Sequence, residues 1–112
     1  MARYIVEAAT KLQPLQAGDY PQPIGFIIPD ILPMTDRGAV FTMEDHDGNM
    51  IIEKDSDNAG EITIQDQTVM ISLVEGDTKG LSGIFYWVLK VKKVDESITV
   101  GYGNIQINNL NP

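Results

Sequence analysis

Period-two alternation of apolar and polar residues recurs along this chain, and helical periodicity is almost absent. That pattern restricts the fold more than any other feature, because side chains on a strand point to opposite faces at each step. Strands are expected at Tyr4–Ala8, Ile24–Ile28, Ala39–Glu44, Met50–Lys54, Ile62–Gln65, Thr68–Leu73, Ile84–Lys92 and Ser97–Ile107. They are rich in Val, Ile, Thr, Phe, Tyr and Trp, which pack well on a pleated surface. Turn chemistry separates them: Asp47-Gly48-Asn49 is the strongest hairpin signal, Asp55–Gly60 and Asp66-Gln67 are polar breaks, and Val94–Glu96 returns the long strand. Pro21, Pro23, Pro29 and Pro33 surround Ile24–Ile28, so that strand is expected to be short or at a sheet edge. Glu75–Leu81 has room for a loop or one 3₁₀ turn, limited by Gly76 and Gly80.

Short strands punctuated by turns read as an all-β fold, an antiparallel β-sandwich of seven to nine strands. The 112 residues make one domain, 1–112, with 1–16 an extended arm or edge strand. A chain of this length buries roughly two-thirds of its unfolded surface, enough for a core without staples. It has no cysteine, which removes disulfides and thiolate chemistry and suits a reducing compartment. The opening MARYIVEAATKLQP has neither the basic region nor the apolar run of a signal peptide. No apolar run approaches the roughly 20 residues of a membrane span. The formal net charge of -8 argues against nucleic acid and anionic membrane as partners, since both reward Lys and Arg.

No catalytic constellation emerges, so no enzyme activity and no cofactor are expected. His46, the one histidine, stands between Asp45 and Asp47 at a hairpin tip and reads as an exposed turn residue. Asp55-Ser56-Asp57-Asn58-Ala59-Gly60-Glu61-Ile62 resembles the first part of a calcium loop. However, Ala59 stands at position five, Asp66 at position twelve, and no helices flank it. A solvated loop is the expectation, with no metal. Gly101-Tyr102-Gly103 and Glu75–Gly80 lack the Lys-Ser/Thr ending of a phosphate loop and read as structural glycines. Sixteen acids will make chance carboxylate pairs, but a chain of this length has little room for a sugar cleft.

The most informative stretch is Ile84-Phe85-Tyr86-Trp87-Val88-Leu89. Alternation puts Phe85, Trp87, Leu89 and Val91 on one face, the expected core, and Ile84, Tyr86, Val88 and Lys90 on the other. Sheets in a free sandwich normally keep one wet face, yet the second set is also apolar. Either the amino-terminal arm or a neighbouring subunit is expected to cover it, which makes Ile84, Tyr86 and Val88 candidate docking residues. Met34, Met50 and Met70 are candidates for adaptable contact surface, with plain packing the simpler reading.

From about Ala17 to Ile107 the features follow a set order, beginning with Gly18-Asp19-Tyr20-Pro21 and the strand of Ile24, Phe26 and Ile28. Phe41-Thr42-Met43-Glu44-Asp45 then leads to Asp47-Gly48-Asn49, and a hairpin carries Gly60, Ile62, Ile64 and Val69, Ile71, Leu73. Asp77-Thr78, Leu81, Gly83, the aromatic strand of Phe85 and Trp87, and finally Gly103, Ile105 and Ile107 complete it. This order resembles that of the immunoglobulin-like domains of phage baseplate and tail proteins, and is similar to the amino-terminal domain of the lactococcal phage upper baseplate protein. Arg3 to Leu15 falls outside the resemblance. The resemblance implies an immunoglobulin-like sandwich and a virion structural protein of tail, baseplate, neck or capsid surface. Such a protein would be made in the host cytoplasm, with other virion subunits as partners and self-association or multi-copy assembly. The alternative is a carbohydrate- or receptor-binding module, in which Tyr20 and Tyr102, near loops, would stack on sugar rings.

Overall fold

A computed structural model describes residues 15–16 and 22–108. Among these residues eight strands form two sheets: β1 (Leu15–Gln16), β2 (Gln22–Ile27), β3 (Gly38–Glu44), β4 (Met50–Asp55), β5 (Ile62–Gln65), β6 (Thr68–Leu73), β7 (Gly83–Lys93) and β8 (Glu96–Asn108). One sheet has the order β1-β8-β7-β3-β4 and the other β2-β6-β5. All neighbours are antiparallel except β1, which runs parallel to the end of β8. Lettered B, C, C′, D, E, F and G from β2 onward, this is a G-F-C-C′ sheet against a B-E-D sheet. That is the strand order of an immunoglobulin-like sandwich.

The core lies between the sheets. Alternation delivers Ala39, Phe41 and Met43 from β3 and Phe85, Trp87, Leu89 and Val91 from β7, all buried. Opposite them lie Ile24 and Phe26 from β2 and Val69, Ile71 and Leu73 from β6. Phe26 is the ring that joins the layers, with its centroid 5.2 Å from Trp87 and 6.2 Å from Phe41. In antibody domains a disulfide links strands B and F beside a tryptophan on C. Here β2, β7 and β3 contribute Phe26, Trp87 and Phe41 to that place, and aromatic packing does the joining in a chain without cysteine.

The expected strands at Ile62–Gln65 and Thr68–Leu73 form with those bounds, joined through Asp66-Gln67. The proline-flanked strand is an edge strand, as its missing amide donors require. Two expectations need correction. Glu96 belongs to β8 and pairs with Lys93, so the turn is only Val94-Asp95, with Asp95 at φ 66°. Glu75–Thr78 (α1) is one turn of α-helix rather than 3₁₀. It is stabilised at its start by the Asp77 carboxylate, which accepts the Val74 backbone N–H at 2.7 Å. The expected strand Tyr4–Ala8 and the Gly18-Asp19-Tyr20-Pro21 turn lie outside the described residues. Of the expected arm, Leu15 and Gln16 are described, and they form an edge strand.

Candidate docking face

The outer face of the larger sheet is set by three strands. On β7 the buried residues alternate with Ile84, Tyr86, Val88 and Lys90, which point away from the core. Ile84 is 56% exposed and Tyr86 48%, while Val88 is half-buried. Beside them on β3, Glu44 pairs with Tyr86, Thr42 with Val88 and Val40 with Lys90. On the other side, β8 places Gln106 opposite Ile84, Asn104 opposite Tyr86 and Tyr102 opposite Val88. Directly opposed residues on one face have Cβ atoms about 4.5–5.5 Å apart, so Tyr102, Val88 and Thr42 form one row across the sheet. The three candidate docking residues therefore share one surface.

Tyr102 joins that surface because of a bulge. The register with β7 slips between Leu89 and Lys90, where Gly101 and Thr99 are the partners and Val100 is the extra residue. Val100 and Gly101 are both buried, and inward parity changes from one to the other. Beyond the bulge Gly103, Ile105 and Ile107 lie on the core side and Tyr102 turns outward, 74% exposed. The expectation that Tyr102 lies near a loop needs correction: it stands mid-strand in the apolar patch. Tyr20, the other candidate for sugar stacking, lies outside the described residues. Of the methionines, Met34 is core packing, Met50 is exposed at the start of β4, and Met70 is half-buried with its sulfur against Gly25.

The acidic loop that resembles a calcium site is met by a cation of the chain itself. Lys92 Nζ donates to Asp55 Oδ1 at 2.6 Å and to Asp57 Oδ2 at 2.7 Å. The Lys92 ammonium and the Asp57 backbone N–H hold the Asp55 carboxyl below its ordinary range. Asp55 and then Asp57 raise Lys92 in return. Glu61 Oε1 accepts from the Asp55 backbone N–H and from Asn58 Nδ2, which closes the loop and lowers the Glu61 carboxyl. No group of three or more metal-ligating side chains is found among the described residues. At the β3–β4 hairpin, Asp45 accepts the Asp47 and Asn49 backbone N–H groups, both at 2.9 Å. His46 is exposed there, with Nε2 3.6 Å from an Asp47 carboxylate oxygen.

Gln67 organises the opposite loop, a role that composition does not signal. Its Nε2 donates to the carbonyls of Ile28 and Leu32, both at 3.0 Å, and its Oε1 accepts the Met34 N–H at 2.9 Å. Arg37 Nη1 ties the same loop to the start of β8 through Glu96 at 2.7 Å.

No family model matches the chain. No curated protein matches it either. Among solved structures it is similar to extracellular domains 3–5 of Drosophila OTK, with a TM-score of 0.35 and 12% identity over 94% of this chain. The chain spans 34% of that structure's length, and a likeness this loose carries no argument. The immunoglobulin-like assignment therefore stands on strand order, and the resemblance to phage baseplate domains gains nothing from these comparisons.

Proposed function

We propose that this chain is a non-enzymatic structural protein of a bacteriophage particle, docking on other virion subunits through the outer face of β8, β7 and β3. One observation carries the docking reading: Ile84, Tyr86, Val88 and Tyr102 form a contiguous apolar and aromatic patch on a sheet already buried on its other face. Tyr is among the residues enriched at protein interfaces, and polar neighbours such as Glu44 and Asn104 supply a rim. The placement in a phage rests on the resemblance to phage baseplate domains that the order of the sequence features carries. Repeated copies in a symmetric particle would multiply a weak contact into a stable one.

Tyr102 lies opposite Val88 in the same patch, which favours docking over sugar stacking for this residue. The test is incorporation of a Tyr86→Asp variant into assembled particles, scored by proteomics of purified virions. A charge at the centre of a buried interface costs about 2 kcal/mol or more, roughly a 30-fold loss of affinity. Incorporation should fall strongly while circular dichroism and thermal unfolding stay near wild type. Absence of the wild-type chain from mature particles would sink the virion role, and unimpaired incorporation of the variant would sink this face.

A further inference from the structure

Among the described residues, the margins of the two sheets are β1, β4, β2 and β5. β1 has two residues, β5 has four, and β2 carries Pro23, which has no N–H to offer. β4 is the margin best suited to accept another strand: six residues without proline, beginning Met50-Ile51-Ile52. An edge of that kind invites pairing with a second copy.

Its inner face carries a charge. Lys54 alternates with the core residue Ile52, pairs with the buried Phe41 on β3, and is itself only 8% exposed. Its ammonium lies 2.9 Å from Asp77 Oδ2, an oxygen that also accepts the Val74 N–H at the start of α1. Side-chain exposure of the pair is 11% for Lys54 and 19% for Asp77, so a narrow contact with water remains. A strand added beside β4 would set a side chain next to Lys54 on the same face, Cβ to Cβ about 4.5–5.5 Å, and crowd out the hydration that the pair retains. Buried charges tolerate such a loss badly, even when paired.

We propose that the Lys54–Asp77 pair is an edge guard, which stops β4 from pairing with β4 of a second copy. Contacts between copies or with other subunits are then left to sheet faces and loops. The inference is independent of the patch on the outer face, because it concerns the sheet margin alone.

Sedimentation velocity over a concentration series tests it, with wild type, the double variant Lys54→Met with Asp77→Asn, and Lys54→Arg compared at one salt concentration. The double variant keeps both side-chain shapes and removes both charges, so that neither is left buried and unpaired. It should dimerise with a dissociation constant about tenfold or more below that of wild type. Hydrogen exchange of the β4 amides should slow in step with dimerisation. Lys54→Arg retains the charge and should behave as wild type does. If circular dichroism shows that the double variant does not fold, Lys54→Gln with Asp77→Asn takes its place, with the same expectation. A folded, uncharged variant as monomeric as wild type overturns the proposal. So does a dimer that disappears when Tyr86→Asp is added, because such a dimer would use the outer face instead of the edge.

Discussion

Phe26→Ala tests whether the sandwich is joined by aromatic packing. Phe26 is fully buried, and among the described rings it is the one contributed by the smaller sheet to the Phe26, Phe41 and Trp87 cluster. Truncation removes both inter-sheet ring contacts and leaves the Phe41–Trp87 contact, within the larger sheet, in place. Phe→Ala in a core costs about 3–5 kcal/mol, which includes the cavity that neighbours cannot fill. Of that, each lost ring pair accounts for about 0.5–1.5 kcal/mol. A domain of this length has a stability of roughly 6–17 kcal/mol, so the variant should fold with a large deficit. Urea unfolding followed by the fluorescence of Trp87, the sole tryptophan, reads the effect at the site itself. With a slope of about 1.5 kcal/mol per molar, the midpoint should fall by about 2–3 M. Phe26→Leu, which fills part of the space, should lose less than half as much. A deficit for Phe26→Ala below about 1.5 kcal/mol at unchanged slope would show that these rings do not hold the sheets together.

Gln67→Ala should cost about 1–3 kcal/mol, because it leaves the partly buried Met34 N–H and the Ile28 and Leu32 carbonyls without this partner. Exchange of the Met34 amide should accelerate more than that of the core strands, and an unchanged rate would refute the assignment. Lys92→Met should flatten both ends of the stability–pH profile measured by urea midpoint. The Asp55 carboxyl is held below 3.8 in the folded chain, so its contribution is full above that value and lost as pH falls through the lower folded value. Lys92 is raised above 10.5, so its contribution is full below that value and lost as pH rises through the higher folded value. An exposed network of this kind is worth about 1 kcal/mol between those limits, and identical profiles for the two proteins would exclude it.

Where one face of a strand is buried and the other is polar, alternation reads directly, and β5 and β6 show it without displacement. β7 was legible for the opposite reason. Its double apolar character is conspicuous, and parity alone separates Phe85 and Trp87 from Ile84 and Tyr86. The β8 face was not legible, because a single extra residue at Val100 inverts the parity of everything after it, and Gly101 and Gly103 carry no side chain to reveal which way they point. Lys54 was hidden as well. In Met-Ile-Ile-Glu-Lys-Asp both faces carry charge, and the inward one is intelligible only through Asp77, on an element that the β4 pattern says nothing about. Gln67 reads as an ordinary turn residue until the loop from Ile28 to Met34 is seen to close on its amide. Pattern reports what a strand does with its neighbours on the same face, and is silent on partners brought from distant loops.

The apolar patch and the core are not independent features of the larger sheet. Trp87 pairs with Gly103, and a Cβ at that glycine would stand 3.2 Å from the indole nitrogen, tighter than ordinary contact. A side chain at that cross-strand position would require the ring that packs against Phe26 to shift by a few tenths of an ångström. With Gly103 on the inner face, its neighbour Tyr102 must point outward, and the Val100 bulge reconciles this with the inward Val100 on the far side. The Val100 bulge thus sets Gly103, Ile105 and Ile107 inward, where the Trp87 ring lies against Gly103, and turns Tyr102 outward into the apolar patch. For this chain, the core packing and the exposed apolar patch are two sides of one strand pair.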